Sequence, residues 1–476
     1  MAEPSAGNQP MGRRIGPLGG MVLMTGTVVG ISVFVLPGEL IGVAGPSITL
    51  ALALTAIPMV FSILALLQLG GAMPVAGGQY VYPSRLVSPF WGFVSLCAII
   101  PAIWSTLLFT AVGFAEFTRF FVDIHAGILA TGVLLAFLVL NLSGVRLVTG
   151  IQFAMVCGIF LGALAFILPG AGQVDLGNYS PLMPAGVGPF LLAIVSLYIP
   201  FQGYSMIVEL GEELKDPVKN IPRVLAIGMA LAVLLSIGLV GVFAGLDSWR
   251  DLAEFGGGGI AEAAGRFLPP VVGAAVAGAA ILGALTTVNS LIISYSRTLM
   301  RASRDQVLSS KLAELHPRTN VPHRAIAVLV VPPMVAAAFT PDVVLLTTFL
   351  GMIILYGNVV TAFALWNLPK RFPEHYQHSM YRLPMPLLKT AAIVSAAIAV
   401  LLWLVVLAGS PGVFAAVCAV LAAGAVGYFL RRRALLRHGV DLSDRLRHLH
   451  SHETRGASAD SPPEPLPNGP TAQGAH

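Results

Sequence analysis

The stretch GTVVGISVFVLPGEL, residues 26–40, decides how this chain is read. It lies inside the first long apolar run, yet it contains Gly26, Gly30, Gly38 and Pro37, with Thr27, Ser32 and Glu39 among its polar residues. A helix whose only task is to cross a bilayer needs none of these. Backbone that leaves the helix at membrane depth exposes unpaired N–H and C=O groups, tolerated only where protein, water or ligand satisfies them. Gly26 and Gly30 lower the cost of unwinding. The unwound turn would present N–H groups at the start of a second half-helix, a setting suited to a carboxylate. On this stretch alone a second reading stands beside the first: glycines in membrane helices allow close helix contact.

The rest of the chain sets the context. Of its 476 residues 56% are hydrophobic and 10% charged, against about 25% charged in a typical soluble protein. The mean hydropathy of +0.84 agrees, and the chain reads as an all-α polytopic membrane protein. Twelve candidate spans lie at roughly 15–43, 46–69, 89–117, 126–142, 149–169, 189–210, 222–246, 271–300, 325–340, 343–368, 387–408 and 412–430, most reaching the ~18 apolar residues that mark a crossing. With a cytoplasmic N-terminus, the 27 lysines and arginines fall on the inner side apart from Arg119, Arg250 and Arg266. That asymmetry predicts an even number of crossings with both termini in the cytoplasm. Residues 1–12 read as a disordered start, 13–430 as the membrane domain and 431–476 as a cytoplasmic, largely disordered tail. The net charge of +5 lies along the inner face and does not point to nucleic acid. Cys97, Cys157 and Cys418 read as small buried hydrophobes. With no histidine well inside a span (His125 sits at a loop), no intramembrane metal site is expected.

Span six supplies the second decisive stretch, LLAIVSLYIPFQGYSMIVELGEELKDPVKNIPRVL, residues 191–225. Pro200, Gln202 and Gly203 interrupt an apolar helix near mid-depth. Interrupted spans at matching places in two halves of a transporter point to its binding site. Spans one and six cross in opposite senses, as two inverted five-span repeats require, at about 15–170 and 189–368; spans eleven and twelve, about 387–430, follow.

Four stretches then carry a family resemblance: GISVFVLPGEL, PVAGGQYVYPSRLVSPFWGF, GEELKDPVKNIPRVL and SYSRTLMRASRDQVLSSKLAELHPRTNVPHRAI, with NLSGVRLVTGIQ and YRLPMP in support. In family order, they resemble the signatures of the amino acid–polyamine–organocation permeases, which share the LeuT-type fold. The chain departs from the pattern in places. The family's glycine triad appears as Gly30-Ile31-Ser32, Gln68 replaces a common glutamate, and Ser205 stands where many relatives carry a glutamate. No lysine occurs near Ile159 in span five, where proton-coupled relatives often have one.

The resemblance implies secondary transport of an amino acid across the cytoplasmic membrane by alternating access. Backbone N–H groups around Gly30, Ile31 and Ser32 would hold the substrate carboxylate. Carbonyls near Val28, Ile199 and Gln202 would take the ammonium. Ile103, Trp104, Phe201, Gln202, Gly203, Tyr204, Leu291 and Tyr356 would shape the side-chain pocket. Trp104, Tyr198, Phe201, Tyr204 and Tyr356 are candidates for lids. The pocket is expected to be apolar and to favour neutral amino acids. No cofactor is expected beyond a coupling ion, H⁺ or Na⁺. Hydroxyls of Thr286, Thr287, Ser290 and Ser294 facing the span-one carbonyls are Na⁺ candidates, with interhelical hydrogen bonding as the other reading. Glu209 is a titrating candidate, or pairs with an inner arginine such as Arg297. Glu212, Glu213 and Lys215, with Arg13, Arg14 and Arg301, are inner-gate candidates. An amine or polyamine carrier, an exchanger and a membrane-embedded amino acid sensor remain alternatives. An intramembrane enzyme is disfavoured, because the spans hold no HExxH, no Ser/His pair and no paired aspartates.

Overall fold

The computed structural model describes residues 15–119, 121–143, 145–210, 213–339, 343–379, 381–409, 411–437, 441, 442 and 446. The first span divides into α1 (Pro17–Val29) and α2 (Ser32–Ala44). Then come α3 (Ile48–Ala72), the short α4 (Gly78–Tyr82), α5 (Pro89–Arg119), α6 (Ala126–Leu142) and α7 (Val145–Gly170). The second half opens with α8 (Val187–Phe201) and continues with α9 (Pro217–Gly245), α10 (Trp249–Ala253), α11 (Gly259–Phe267) and α12 (Pro270–Arg304). It closes with α13 (His323–Ala337), α14 (Val343–Arg371), α15 (Pro373–Gln377), α16 (Met385–Gly409) and α17 (Pro411–Leu436).

Nine stretches among the described residues are long and apolar enough to cross a membrane, and α6 and α13 are shorter apolar helices. The first stretch, Pro17–Ala72, runs to 56 residues. At 1.5 Å per residue that is about 84 Å, far more than the ~30 Å hydrocarbon core. It therefore has the length of two crossings, α1–α2 and α3, and helices stand at all twelve expected positions. The protein is an all-α polytopic membrane protein. His125 caps α6, its Nδ1 accepting from the Gly127 N–H at 3.2 Å. One small expectation fails: Cys157 is exposed on the outer surface of α7, and Cys97 and Cys418 are only half-buried, because a lipid-facing position and a buried one are equally apolar.

The first break is short. α1 ends at Val29, and Gly30 adopts φ +41°, a left-handed value that favours glycine. Ile31 returns to the helical region and α2 starts at Ser32. The second break differs from expectation. The chain does not unwind after Phe201 but tightens into a 3-10 helix over Gln202–Glu209. Pro200 has no N–H to extend an α ladder, and the i→i+3 pattern keeps the following amides paired without one.

Glycines bring the two halves into close contact at the breaks. A Cβ at Gly26 would lie 2.7 Å from Gln152 Nε2, and one at Gly283 would lie 2.4 Å from the Gly30 carbonyl oxygen. Gly38 serves a different contact, with the Gly256–Gly258 turn before α11, whose Gly256 carbonyl oxygen would be 1.9 Å from an added Cβ. The two readings of the opening stretch are therefore both realised, one at Gly30 and the other at Gly26 and Gly38.

On the face where the chain enters α1, two β-bridges close the structure, Ile15 with Leu214 and Ala76 with Leu210. Beside them lies a buried charge cluster. Asp305, just past α12, pairs with Arg85 at 2.9 Å and Arg301 at 3.4 Å, all three side chains at 0% exposure. The Tyr80 hydroxyl donates to the same carboxylate at 2.9 Å. Burial, with the charge of Asp305 next, pushes the Tyr80 phenol well up. Burial works against the charge of Arg85, and Asp305 and Tyr80 together more than offset it.

Candidate functional site

A cavity of about 610 Å³ reaches the α1–α2 break and extends between α2, α3, α5, α8, α12, α14 and α16. Thr27 and Ser32 from the first break, Gly203, Tyr204 and Ser205 from the 3-10 segment, and Thr287, Leu291 and Tyr295 from α12 line its deep part. The first-turn amides of Ile31, Ser32 and Val33 fall outside the α2 ladder, which begins with the Phe34 and Val35 N–H groups on the Ile31 carbonyl. Free first-turn amides at a helix start attract an anion. Among the described residues the cavity wall carries one charged residue, Glu39, which stands beside the Gly256–Gly258 turn.

Of the residues singled out from sequence, Ser32, Ile103, Gly203, Tyr204, Leu291 and Tyr356 line this cavity, and so do Thr287 and Tyr198. Gly30 and Val28 sit directly behind the wall, Val28 fully buried. The side chains of Ile199, Pro200 and Gln202, and all of Arg13, Arg14 and Glu212, lie outside the described residues. Two expected wall residues, Phe201 and Trp104, point elsewhere, and so does the side chain of Ile31, a residue expected to act through its backbone N–H alone. Ile31 packs toward α5, where an added Cβ at Gly113 would lie 2.8 Å from its Cδ1. Phe201 is 2% exposed in the core and is not on the wall. Trp104 turns to the other side of α5, its Nε1 donating to the Val328 carbonyl on α13 at 3.1 Å. Trp104→Phe is therefore expected to leave the KM of uptake unchanged while costing about 1 kcal/mol of stability for the lost bond. Uptake kinetics and thermal unfolding of one preparation check both halves.

The α12 hydroxyls do face α1. Thr286 Oγ1 donates to the Gly26 carbonyl at 2.9 Å and Ser290 Oγ to that of Leu23 at 3.1 Å. Between them sits Gln152 of α7, whose Nε2 donates to Ser290 Oγ at 2.8 Å and to the Thr286 carbonyl at 3.3 Å. Its Oε1 accepts from Asn289, which in turn accepts from Asn141. Thr287 donates to the Gly283 carbonyl, and Ser294 is buried with its hydroxyl unpaired among the described residues.

The inner charges are arranged differently from expectation. Arg297 pairs with Glu213 at 2.6 Å, not with Glu209. Arg301 belongs to the Asp305 cluster. Lys215 is exposed and contributes its backbone N–H to the Ile15 carbonyl. Glu209 takes the Gln79 backbone N–H at 2.9 Å and the Thr298 hydroxyl.

Sequence reading missed Gln79, Gln152 and Tyr295, and a polar cluster on the far wall. There the Tyr198 hydroxyl meets Ser62 Oγ at 3.0 Å and Asn358 Nδ2 at 3.1 Å, with Ser395 Oγ 3.2 Å from Ser62. The available signal was a polar side chain within an apolar run. Gln68, noted as a departure from the family, accepts from the Leu383 N–H at 2.7 Å.

A multi-pass helical protein with paired helix breaks beside a cavity has the architecture of a membrane transporter. The profile of the amino acid permease family matches residues 15–425, and the chain belongs to that family. It is similar to an uncharacterized transporter of Mycobacterium tuberculosis, 31% identical over 342 residues that cover 70% of this chain and 74% of that one. The branched-chain amino acid permease BcaP of Bacillus subtilis is 23% identical, over 67% of this chain and 73% of its own. Cationic amino acid transporter 4 of Homo sapiens is 24% identical, over 63% and 51%. The relatives are transporters and not enzymes, and the family's function is amino acid transport.

Proposed function

We propose that the protein carries a neutral amino acid across the cell membrane by alternating access, with the substrate held between the α1–α2 break and the Gln202–Glu209 segment. The observation that carries this reading is the cavity reaching Ser32, in the first turn of α2 whose amides lie outside its ladder, beside Gly203, Tyr204 and Thr287. Those amides would take the carboxylate, assisted by the helix dipole. Carbonyls near Val28, Ile199 and Gln202 would take the ammonium. The substrate side chain would run along Ile103, Leu291 and Tyr356.

The relatives' names include both branched-chain and cationic substrates. The wall favours the first. A cationic side chain buried here would need a carboxylate at depth, and the one acid on the wall, Glu39, stands with Leu40 and Val43 toward the α2 end far from the break. The sealing charges, Glu213 with Arg297, lie on the side where the chain enters α1. With the inner side assigned from the basic residues, this closes the cytoplasmic path.

Counterflow in proteoliposomes tests the reading. Leucine, isoleucine and valine are expected to exchange, and lysine and arginine to exchange poorly. Counterflow of lysine alone would overturn the neutral assignment, and binding without any counterflow would favour a sensor.

A further inference from the structure

We propose that Glu209 is the site at which a proton is taken up and carried with the substrate; this rests on the transport reading given above. Glu209 is the last residue of the 3-10 segment that begins beside the cavity, and it is 0% exposed. Its two carboxylate oxygens are engaged by neutral donors alone, the Gln79 N–H and the Thr298 hydroxyl. A buried carboxylate without a counter-cation is costly while ionised, and a bound proton removes that cost.

The neighbouring charges are already engaged with one another. Beyond Glu209 on its own segment, Glu213 is held by Arg297 of α12. Arg301 of α12 and Arg85, which follows α4, are held by Asp305. The other titratable groups on the packed elements are Arg304, the last residue of α12 and six positions beyond Thr298, and the phenols Tyr80 and Tyr82 of α4, Tyr198 of α8, Tyr204 of the segment itself and Tyr295 of α12. Lys219 and Arg223 of α9 are exposed, and α1 and α3 carry no titratable side chain. Among the described residues no basic group lies within ion-pair distance of Glu209.

A short route joins it to the cavity. Gln79, whose backbone holds Glu209, donates its side-chain Nε2 to Ser205 Oγ at 2.7 Å and to the Tyr295 hydroxyl at 2.9 Å. Gln79, Ser205 and Tyr295 all line the cavity. One residue therefore separates the carboxylate from the space the substrate would occupy.

The proton step balances simply. When the segment moves and water from the cavity reaches the carboxylate, a hydronium ion gives its proton to Oε2 of Glu209, an O–H bond forms, and water remains. Release to the other side reverses this, with water as acceptor. The partners suit both states. The Gln79 N–H can only donate, so it stays on Oε1. The Thr298 hydroxyl donates to ionised Oε2 and rotates to accept from the protonated form. Charge neutralisation thus occurs on the strand of backbone that grips the substrate, six residues beyond Gly203, or about 12 Å along a 3-10 helix.

The test uses the full-length protein in proteoliposomes with a pH-sensitive dye inside and leucine as substrate. Wild-type protein is expected to acidify the lumen when leucine is added outside, and to accumulate leucine under an inward proton gradient. Glu209→Gln, which mimics the protonated form, is expected to keep leucine counterflow at every pH and to lose both gradient-driven accumulation and the dye signal. Glu209→Asp restores them. Wild-type counterflow without proton movement overturns the proton site and leaves the transport reading standing. Gradient-driven accumulation by Glu209→Gln does the same. Wild-type protein with no counterflow removes the transport reading and this proposal with it. If neither variant folds, carbodiimide labelling of the wild-type protein followed by mass spectrometry decides. An adduct at Glu209 in acid that is absent in alkali supports the site, and no adduct at any pH overturns it.

Discussion

Asp305→Asn is expected to destabilise the protein by about 3–5 kcal/mol, the usual penalty for removing one member of a buried ion pair. The reason is the charge that the carboxylate supplies. Two guanidinium groups, Arg85 and Arg301, share the Asp305 carboxylate with no solvent exposure. Removing its charge takes an anion away from two cations in a medium that hydrates neither. An asparagine oxygen accepts a hydrogen bond but does not neutralise. Tyr80, which donates to the same carboxylate, loses a strong acceptor and keeps a weaker one. Tyr80→Phe should therefore cost much less, about 1 kcal/mol. Thermal unfolding of both variants in one detergent measures the difference. Equal losses would show that the cluster is held by its hydrogen bonds and not by charge.

The second large effect is expected at Gly283. A methyl group there would lie 2.4 Å from the Gly30 carbonyl oxygen, 2.7 Å from its carbon and 3.0 Å from the Ile31 nitrogen. These are backbone atoms of the break itself, so no side-chain rotation relieves the contact. Gly283→Ala must push α12 away from α1 at the point where the substrate would be held. Overpacking of this kind costs about 1–3 kcal/mol, and the same loss in binding would be roughly tenfold or more in affinity. Gly278 is a built-in control, on the same helix with open space around it. Gly278→Ala should leave binding unchanged. A leucine binding isotherm for each variant checks the pair.

Much of the architecture could be read from sequence because a bilayer imposes a length on every crossing. The spans and the first break were legible for that reason. The family signatures at Gly30-Ile31-Ser32 and around Gly203 located the cavity. The facing of individual side chains was not legible. Trp104 and Ile103 are adjacent on a helix that is apolar all round, since lipid and protein interior are equally apolar neighbours. Periodicity could not say that Ile103 meets the cavity while Trp104 meets α13. The partner of Arg297 was hidden for another reason. Two carboxylates, Glu209 and Glu213, lie four residues apart, and their relative direction depends on winding. An α-helix would put both on one face, whereas the chain here passes through a 3-10 helix and leaves it at Leu210. Gln152 was hidden by distance along the chain, since its partners Thr286 and Ser290 lie 134 and 138 residues away.

The cavity wall is divided between the two halves of the chain. Thr27, Ser32 and Ile103 come before the 171–186 connection, and Gly203, Thr287 and Tyr356 come after it. A substrate held there is gripped from both sides, so its binding free energy is also free energy of cohesion between the halves. A substrate bound as proposed would act as mortar along an internal seam, and the loaded protein would be harder to pull apart there than the empty one.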